Sequence, residues 1–228
     1  MILAAGVGSR LRPLTDKTPK ALLKFKGKTM LEHVIDQLGN YGISEIIVNL
    51  HHHADMVEDY VVENRNFGMK IAFSSERERL MDTGGGIMKA RWFLDGAPFI
   101  VHNVDVRTDL DLAGLYQAHM KTRPLATLAV SDRETSRNLL VDEGGQLCGW
   151  RNNKTGEEII TRVKKGMKPV AFSAVHVIEP AIFELLDHEK PFSMTDAYLS
   201  LAAENEIMTY DHSGGAWTDM ASPGNFNL

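Results

Sequence analysis

The chain of 228 residues has a single cysteine, Cys148. That excludes an internal disulfide framework and suits a reducing compartment such as the cytoplasm. Nothing around Cys148 suggests a nucleophile, so it reads as a core thiol. Basic residues are not in excess, because 25 Lys and Arg stand against 30 Asp and Glu and leave a formal charge of −5. The balance offers no electrostatic footprint for nucleic acid or for an anionic membrane. No apolar run approaches the ~20 residues of a membrane-spanning helix. The apolar start from Ile2 to Ala5 is broken by Gly6, Gly8 and Arg10, so it does not read as a signal peptide. Linker composition and internal repeats are also lacking, and one domain over residues 1–228 is expected.

What is present is concentrated in the first twenty-five residues. The run Ile2–Ala5 reads as a buried parallel strand that stops at Gly6-Val7-Gly8-Ser9-Arg10. Glycines there permit left-handed backbone and let a ligand approach the chain closely, with free N–H groups aimed at phosphate oxygens. Arg10, Arg12, Lys17 and Lys20 add positive charge to the same loop. Two common phosphate loops fail: G-x-G-x-x-G would need glycine where Leu11 stands, and the P-loop pattern ending at Gly27-Lys28-Thr29 would need glycine at Leu22. The loop is a polyphosphate site of another kind.

The longer string, Leu3-Ala4-Ala5-Gly6-x-Gly8-x-Arg10 followed by Pro13-Leu14-Thr15 and Pro19-Lys20, resembles the signature of sugar-1-phosphate nucleotidyltransferases. The likeness points toward the N-acetylmuramate-1-phosphate uridylyltransferases and the mannose-1-phosphate guanylyltransferase-like proteins. It implies an NTP, with UTP or GTP favoured, and a sugar 1-phosphate as partners, and Mg²⁺ as cofactor. Arg10 and Lys20 are implied as catalytic cations. Leu3, Ala4, Ala5, Gly6, Gly8, Ser9 and Arg10 would contact the nucleotide, and Lys20 and Asn103 the sugar phosphate. Two carboxylates at matching positions, Asp105 after a strand and Asp219 in Trp217-Thr218-Asp219, are implied as metal ligands. Val104 stands where the family usually has glycine, and Asp219-Met220-Ala221-Ser222-Pro223 replaces its D-x-G-T-P.

Along the chain, Met30 to Leu38 has helical spacing ended by Gly42, and Glu45–Leu50, Lys70–Phe73 and Phe99–Val101 read as further strands with a helix from Met56 to Val62 between the first two. Strands separated by helices imply βαβ units, with ligands beyond the carboxyl ends of the strands. The expected class is α/β: three layers on a mostly parallel mixed sheet with a Rossmann-like nucleotide-binding half, GT-A-like. Residues 1–110 form the nucleotide half and 111–228 the sugar-phosphate half. In the second half, Leu139–Val141 and Gln146–Trp150 read as a hairpin joined by Asp142-Glu143-Gly144-Gly145, residues 151–168 as a mobile excursion, Ala171–Ile178 as a strand, and Pro180 and Thr195 as helix starts.

Other side chains carry weaker signals. Asp82, Thr83, Gly84 and Gly85 read as a turn before a helix starting at Ile87, able to admit a flat base. Asn49 sits at a strand end with reach to sugar hydroxyls. Glu76 and Glu78 read as solvated, and His51-His52-His53 as a strand-to-helix turn rather than a zinc site. Lys164, Lys165 and Lys168 belong either to a flap over substrate or to a charged loop. Three other functions stay open. A nicotinamide dehydrogenase is disfavoured by Leu11. A non-catalytic nucleotide-sugar sensor would have no need of both metal carboxylates. A cytidylyltransferase for an amino-alcohol phosphate would need an aromatic box, for which Trp150, Trp217 and Tyr198 are scattered in sequence. Oligomeric state is open, with a homo-oligomer admitted.

Overall fold

A computed structural model describes residues 1–186 and 190–226. The first half builds a parallel sheet from β1 (Ile2–Leu3), β4 (Glu45–Leu50), β5 (Lys70–Ser75) and β6 (Phe99–Asn103), in the order β6-β1-β4-β5. Between β1 and β4 lie a short ribbon, β2 (Lys24–Phe25) with β3 (Lys28–Thr29), and helix α1 (Met30–Asn40). Thr29 and Glu32 close a capping box at the start of α1, satisfying two N–H groups that the first turn leaves open. Helices α2 (Ala54–Glu63), α3 (Asp82–Lys89) and α4 (Arg91–Leu94) complete the crossovers.

The second half is mainly antiparallel. After the short β7 (Val106–Thr108) and helix α5 (Leu112–Thr122) come β8 (Ala126–Ser131), β9 (Arg137–Val141), β10 (Leu147–Asn152), β11 (Glu158–Ile160) and the long β12 (Lys168–Ile178). Strand β12 pairs with β6, β8 and β9 and so welds the halves into one mixed sheet. Helix α6 (Met194–Leu201), β13 (Ile207–Asp211), which runs parallel to β8, and β14 (Trp217–Asp219) finish the chain. Residues 151–168 are not a bare excursion: Gly149–Arg151 pair with Glu158–Ile160, which adds β11 as an exposed edge strand.

Alternation along the central strands makes three layers. Ile46, Val48 and Leu50 face one core with Leu31, Val34, Ile35 and Val57 of α1 and α2, while Ile47 faces the other with Ile87, Phe183 and Tyr198. Cys148 is buried in the second half, and burial pushes its thiol up, as expected of a core thiol. Among the described residues no helix is long and apolar enough to cross a membrane.

Candidate functional site

The register of the parallel strands fixes the site. Leu3 lies opposite both Asn49 and Asn103, so the loops leaving β1, β4 and β6 emerge side by side at the carboxyl edge. Gly8 adopts the left-handed conformation with φ of 64°, and a Cβ there would fall 2.8 Å from Thr15 Cγ2. Thr15 Oγ1 donates to the Gly8 carbonyl at 3.0 Å and closes the turn. Gly6 has no positive φ, and its value lies in space, because a Cβ there would face Lys20 Nζ at 3.4 Å.

That space lets Lys20 reach Asp105, with Nζ donating to Oδ2 at 2.8 Å in a mostly buried pair. Burial pushes the Asp105 carboxyl up, but the adjacent Lys20 ammonium outweighs it and holds the group below its ordinary value. The second carboxylate arrives on a ribbon: β14 runs antiparallel to β7 with Asp219 opposite Val106, and the Met220 N–H donates to the Asp105 carbonyl at 2.7 Å. Arg10 donates to Asp219 Oδ2 at 3.1 Å from a largely exposed position. Two of the departures from the family pattern are absorbed by packing, since Val104 and Ala221, which stand where the family has glycine, are both buried.

No group of three or more His, Cys, Asp or Glu side chains among the described residues forms a metal cage. Mg²⁺ needs less: one or two carboxylates, with water and phosphate oxygens completing its shell. Asp105 and Asp219 are hard oxygen donors of the kind Mg²⁺ takes, each paired here with a cation of the glycine loop. The histidine run forms the turn into α2, where His53 takes a left-handed conformation.

Two cavities open along this edge and share Leu3, Asp82, Thr83 and Asn103. One, of about 450 Å³, is walled by Ala5, Gly6 and Lys20. The other, of about 530 Å³, lies against the antiparallel half and is walled by Arg133, Arg137, Trp150, Phe172, His176 and Asp196. Within it, a register shift in β12 between Phe172 and His176 accommodates Ala174 at a φ of 58°. Asn103 is thus a joint wall, as its strand-end position suggests. Ala4 is buried beneath the loop, while Gly8, Ser9 and Arg10 stand outside both linings.

Several expectations need correction. Gly84 and Gly85 lie inside α3 rather than in a turn before it. The space above Gly84 is filled by the Phe192 ring, that above Gly85 by Met81, and that above Gly86 by Asn49 and Glu76. In the direction a side chain would take, each of these glycines is packed against protein. Asp82, with φ of 59°, and Thr83 are the members of that motif that reach the cavities. Asn49 lines the smaller cavity, yet its amide is already engaged: Oδ1 accepts the Ala4 N–H at 2.7 Å and Nδ2 donates to Glu76 Oε1 at 2.7 Å. Glu76 is fully buried, not solvated, and also accepts the Met81 N–H at 2.9 Å. No aromatic box forms from the three named rings. The face of Trp217 carries the Arg133 guanidinium at 3.7 Å, and Tyr198 is buried against His176.

Arg133, Arg137, His176 and Asp196 were not singled out from sequence. The visible signal was two arginines four residues apart in Ser131-Asp132-Arg133-Glu134-Thr135-Ser136-Arg137, between two apolar strands. Such a polar string ordinarily reads as a solvated turn.

Comparison with known proteins places this geometry. A family model described as nucleotidyl transferase matches residues 1–141. The N-acetylmuramate alpha-1-phosphate uridylyltransferase of Caulobacter vibrioides is 29% identical, over 98% of this chain and 91% of its own. A mannose-1-phosphate guanyltransferase of Yarrowia lipolytica is 30% identical over 99% of this chain, which spans 61% of that longer protein. In structure, HddC from Yersinia pseudotuberculosis, solved with GMP-PN, matches with a TM-score of 0.79 at 22% identity, covering 98% of this chain and 94% of that one. At that identity the match speaks for the fold alone.

Proposed function

This chain belongs to the nucleotidyl transferase family, and from that premise we propose that it joins a nucleoside triphosphate to a sugar 1-phosphate, giving an NDP-sugar and pyrophosphate. The observation that carries the reading is the paired cations at the glycine loop. Lys20 and Arg10 are each held by a carboxylate, at the edge where the loops of β1 and β6 meet.

In the reaction a sugar-phosphate oxygen forms a bond to the α-phosphorus while the bond from that phosphorus to the β-phosphate oxygen breaks. The attacking phosphate is already an anion at neutral pH, so no side chain need remove a proton. Catalysis then consists of aligning two anions that repel each other and compensating charge on the leaving pyrophosphate. The cavity beside Gly6 and Lys20 suits the triphosphate, and the one lined by Trp150 and Phe172 suits the sugar. Lys20, a compact charge, would sit by the α-phosphate, and Arg10, with its planar fork, by the departing phosphates. Asp105 and Asp219 would hold Mg²⁺, which supplies charge neutralisation on phosphate oxygens. We place the reaction in the cytoplasm, where Cys148 stays reduced, and favour UTP or GTP because the relatives are named for uridylyl and guanylyl transfer.

The test is pyrophosphate release with Mg²⁺, scanning UTP, GTP, CTP, ATP and dTTP against sugar 1-phosphates. We expect turnover with one base and one class of sugar, and a loss of about 10²–10³ in kcat for Asp105→Asn, the scale of removing one preorganised charge from a transition state. Silence across the panel, with a nucleotide-sugar still binding, would replace the enzyme by a non-catalytic sensor.

A further inference from the structure

Cavity walls outside the glycine loop carry information about the acceptor. The antiparallel half brings two arginines, Arg133 and the exposed Arg137, to the lining of the larger cavity. Arg137 opens β9, and Leu139 follows two residues on, on the same face; across the ladder Asn152 lies opposite Arg137 and Trp150 opposite Leu139. Arg137, Leu139 and Trp150 therefore present a cation, an apolar step and an indole along one wall. Arg133 stands beside them, stacked on Trp217 and donating from Nη2 to the Phe172 carbonyl at 2.6 Å. Its Nε, shielded from solvent, has no partner among the described residues. No carboxylate among the described residues lies within ion-pair distance of Arg133 or Arg137.

Arg137 differs in this from Lys20 and Arg10, whose charges are matched in the protein itself, while Arg133 feels the Asp219 carboxylate at longer range. The cavity also contains acids: Asp196 in the first turn of α6 and Asp82 at the junction with the nucleotide side. Its polarity is divided, with the arginines on one wall and Asp196 contributed by a different element. A ligand here meets positive charge at β9 and an acceptor of hydroxyl or amide protons at α6. The volume of about 530 Å³ exceeds what a bare hexose needs and lies within the range of pockets for larger ligands.

We propose that the acceptor is a sugar 1-phosphate bearing a second anionic substituent on its ring, seated against Arg137 and Arg133 with the sugar over Trp150. The proposal rests on the transferase reading above and narrows it. The relatives do not make this choice, because a neutral mannose and an acidic muramate both occur in their names. Arg137 is the specificity-determining residue: its fork matches a carboxylate or phosphate in two parallel bonds. Arg133, half committed to Phe172 and Trp217, supports it.

The experiment compares matched acceptors. N-acetylmuramate 1-phosphate differs from N-acetylglucosamine 1-phosphate by one carboxylate-bearing ether, and glucose 1,6-bisphosphate differs from glucose 1-phosphate by one phosphate. kcat/KM is measured for all four with wild type, Arg137→Gln and Arg137→Lys. Wild type should prefer the acidic member of one pair by about 10- to 100-fold, the scale of a hydrogen-bonded charge pair. Which pair it is tells carboxylate from phosphate. Arg137→Gln should collapse that preference and Arg137→Lys restore part of it. Equal use of acidic and neutral acceptors, or a preference untouched in Arg137→Gln, overturns the proposal. Calorimetric titration of the same acceptors with Mg²⁺ and non-hydrolysable UTP or GTP analogues separates the two readings. Arg137-dependent binding of the acidic sugar without turnover keeps the pocket and removes the catalysis. No preferential binding removes the pocket assignment.

Discussion

Gly84→Ala puts the reinterpreted glycine motif to a quantitative test, because two effects of known size oppose each other there. Gly84 is inside α3, where alanine is favoured over glycine by about 1 kcal/mol. Against that gain, its Cβ would lie 2.0 Å from Phe192 Cε2, 2.3 Å from Cδ2 and 2.8 Å from Cζ. Ordinary carbon contact near 3.5–4.0 Å requires the ring to recede by roughly 1.5–2 Å. It cannot recede with its backbone, since Gly84 N–H donates to the Phe192 carbonyl at 2.9 Å and Phe192 N–H donates to the Met81 carbonyl at 3.3 Å. Overpacking of this kind costs about 1–3 kcal/mol, so after the propensity gain the net expectation is a loss of up to about 2 kcal/mol. In a chain this size that lowers Tm by up to roughly 8 °C. Pro191 and Ser193, on either side of Phe192, line the smaller and larger cavities respectively, so the acceptor KM should rise more than kcat falls. Thermal unfolding and steady-state kinetics read both effects. A Tm increase of the size the propensity gain alone would give, with KM unchanged, would refute the packing argument and return the glycines to ligand contact.

Asn49→Asp places a second carboxylate against the fully buried Glu76 and removes its amide donor, so a destabilisation of about 3–5 kcal/mol is expected; a shift in urea midpoint under a quarter of total stability would contradict it. Acid should weaken the fold well before its carboxylates protonate. Burial lowers His176 to about 3 and His102 to about 4, against about 6.5 when unfolded, so the unfolded chain takes up protons first. Stability from these groups is complete above about pH 6.5 and falls as pH drops toward the folded values, by about 2 kcal/mol each at pH 5. Urea midpoints at pH 7.5 and pH 5 should differ accordingly, and equal midpoints would show that the imidazoles are not buried neutral.

The parts of this fold legible in sequence are those decided by local pattern. Strands β1, β4 and β6 show as apolar runs, and α1 shows through its helical spacing. The resemblance likewise pointed to Lys20, Asp105 and Asp219, and the fold brings Lys20 to Asp105 and carries Asp219 on a ribbon beside β7. Long-range partnerships were not legible. Glu76 reads as solvated in the string Ser75-Glu76-Arg77-Glu78, since its partner Asn49 is 27 positions away. Three glycines read as a turn by propensity, and the close packing of Phe192, Met81, Asn49 and Glu76 explains why glycine stands at these helical positions. Strand β11 has exposed residues throughout, so it lacks the apolar alternation by which strands are recognised. Arg137 resembles any surface arginine until the ladder sets it beside Trp150.

The Lys20–Asp105 pair also constrains how ligands enter. Both side chains are about 15% exposed or less, so each charge depends on the other for compensation. A triphosphate that drew Lys20 away would leave Asp105 buried and uncompensated, a penalty of order 3–5 kcal/mol for removing one partner. The site therefore resists a naked polyanion and favours one that arrives with positive charge for the carboxylate. Arg10 and Asp219, more exposed, impose the same bias more weakly. Asp105→Asn should then act with opposite signs in two assays. It removes the competitor for Lys20, so the nucleoside triphosphate should bind at least as tightly as wild type when divalent cations are chelated, even as turnover with Mg²⁺ collapses. Calorimetry in chelator distinguishes this from damage to the loop. If affinity without divalent cations fell in step with kcat, Asp105 would be a support for the fold of the glycine loop and not the holder of its charge.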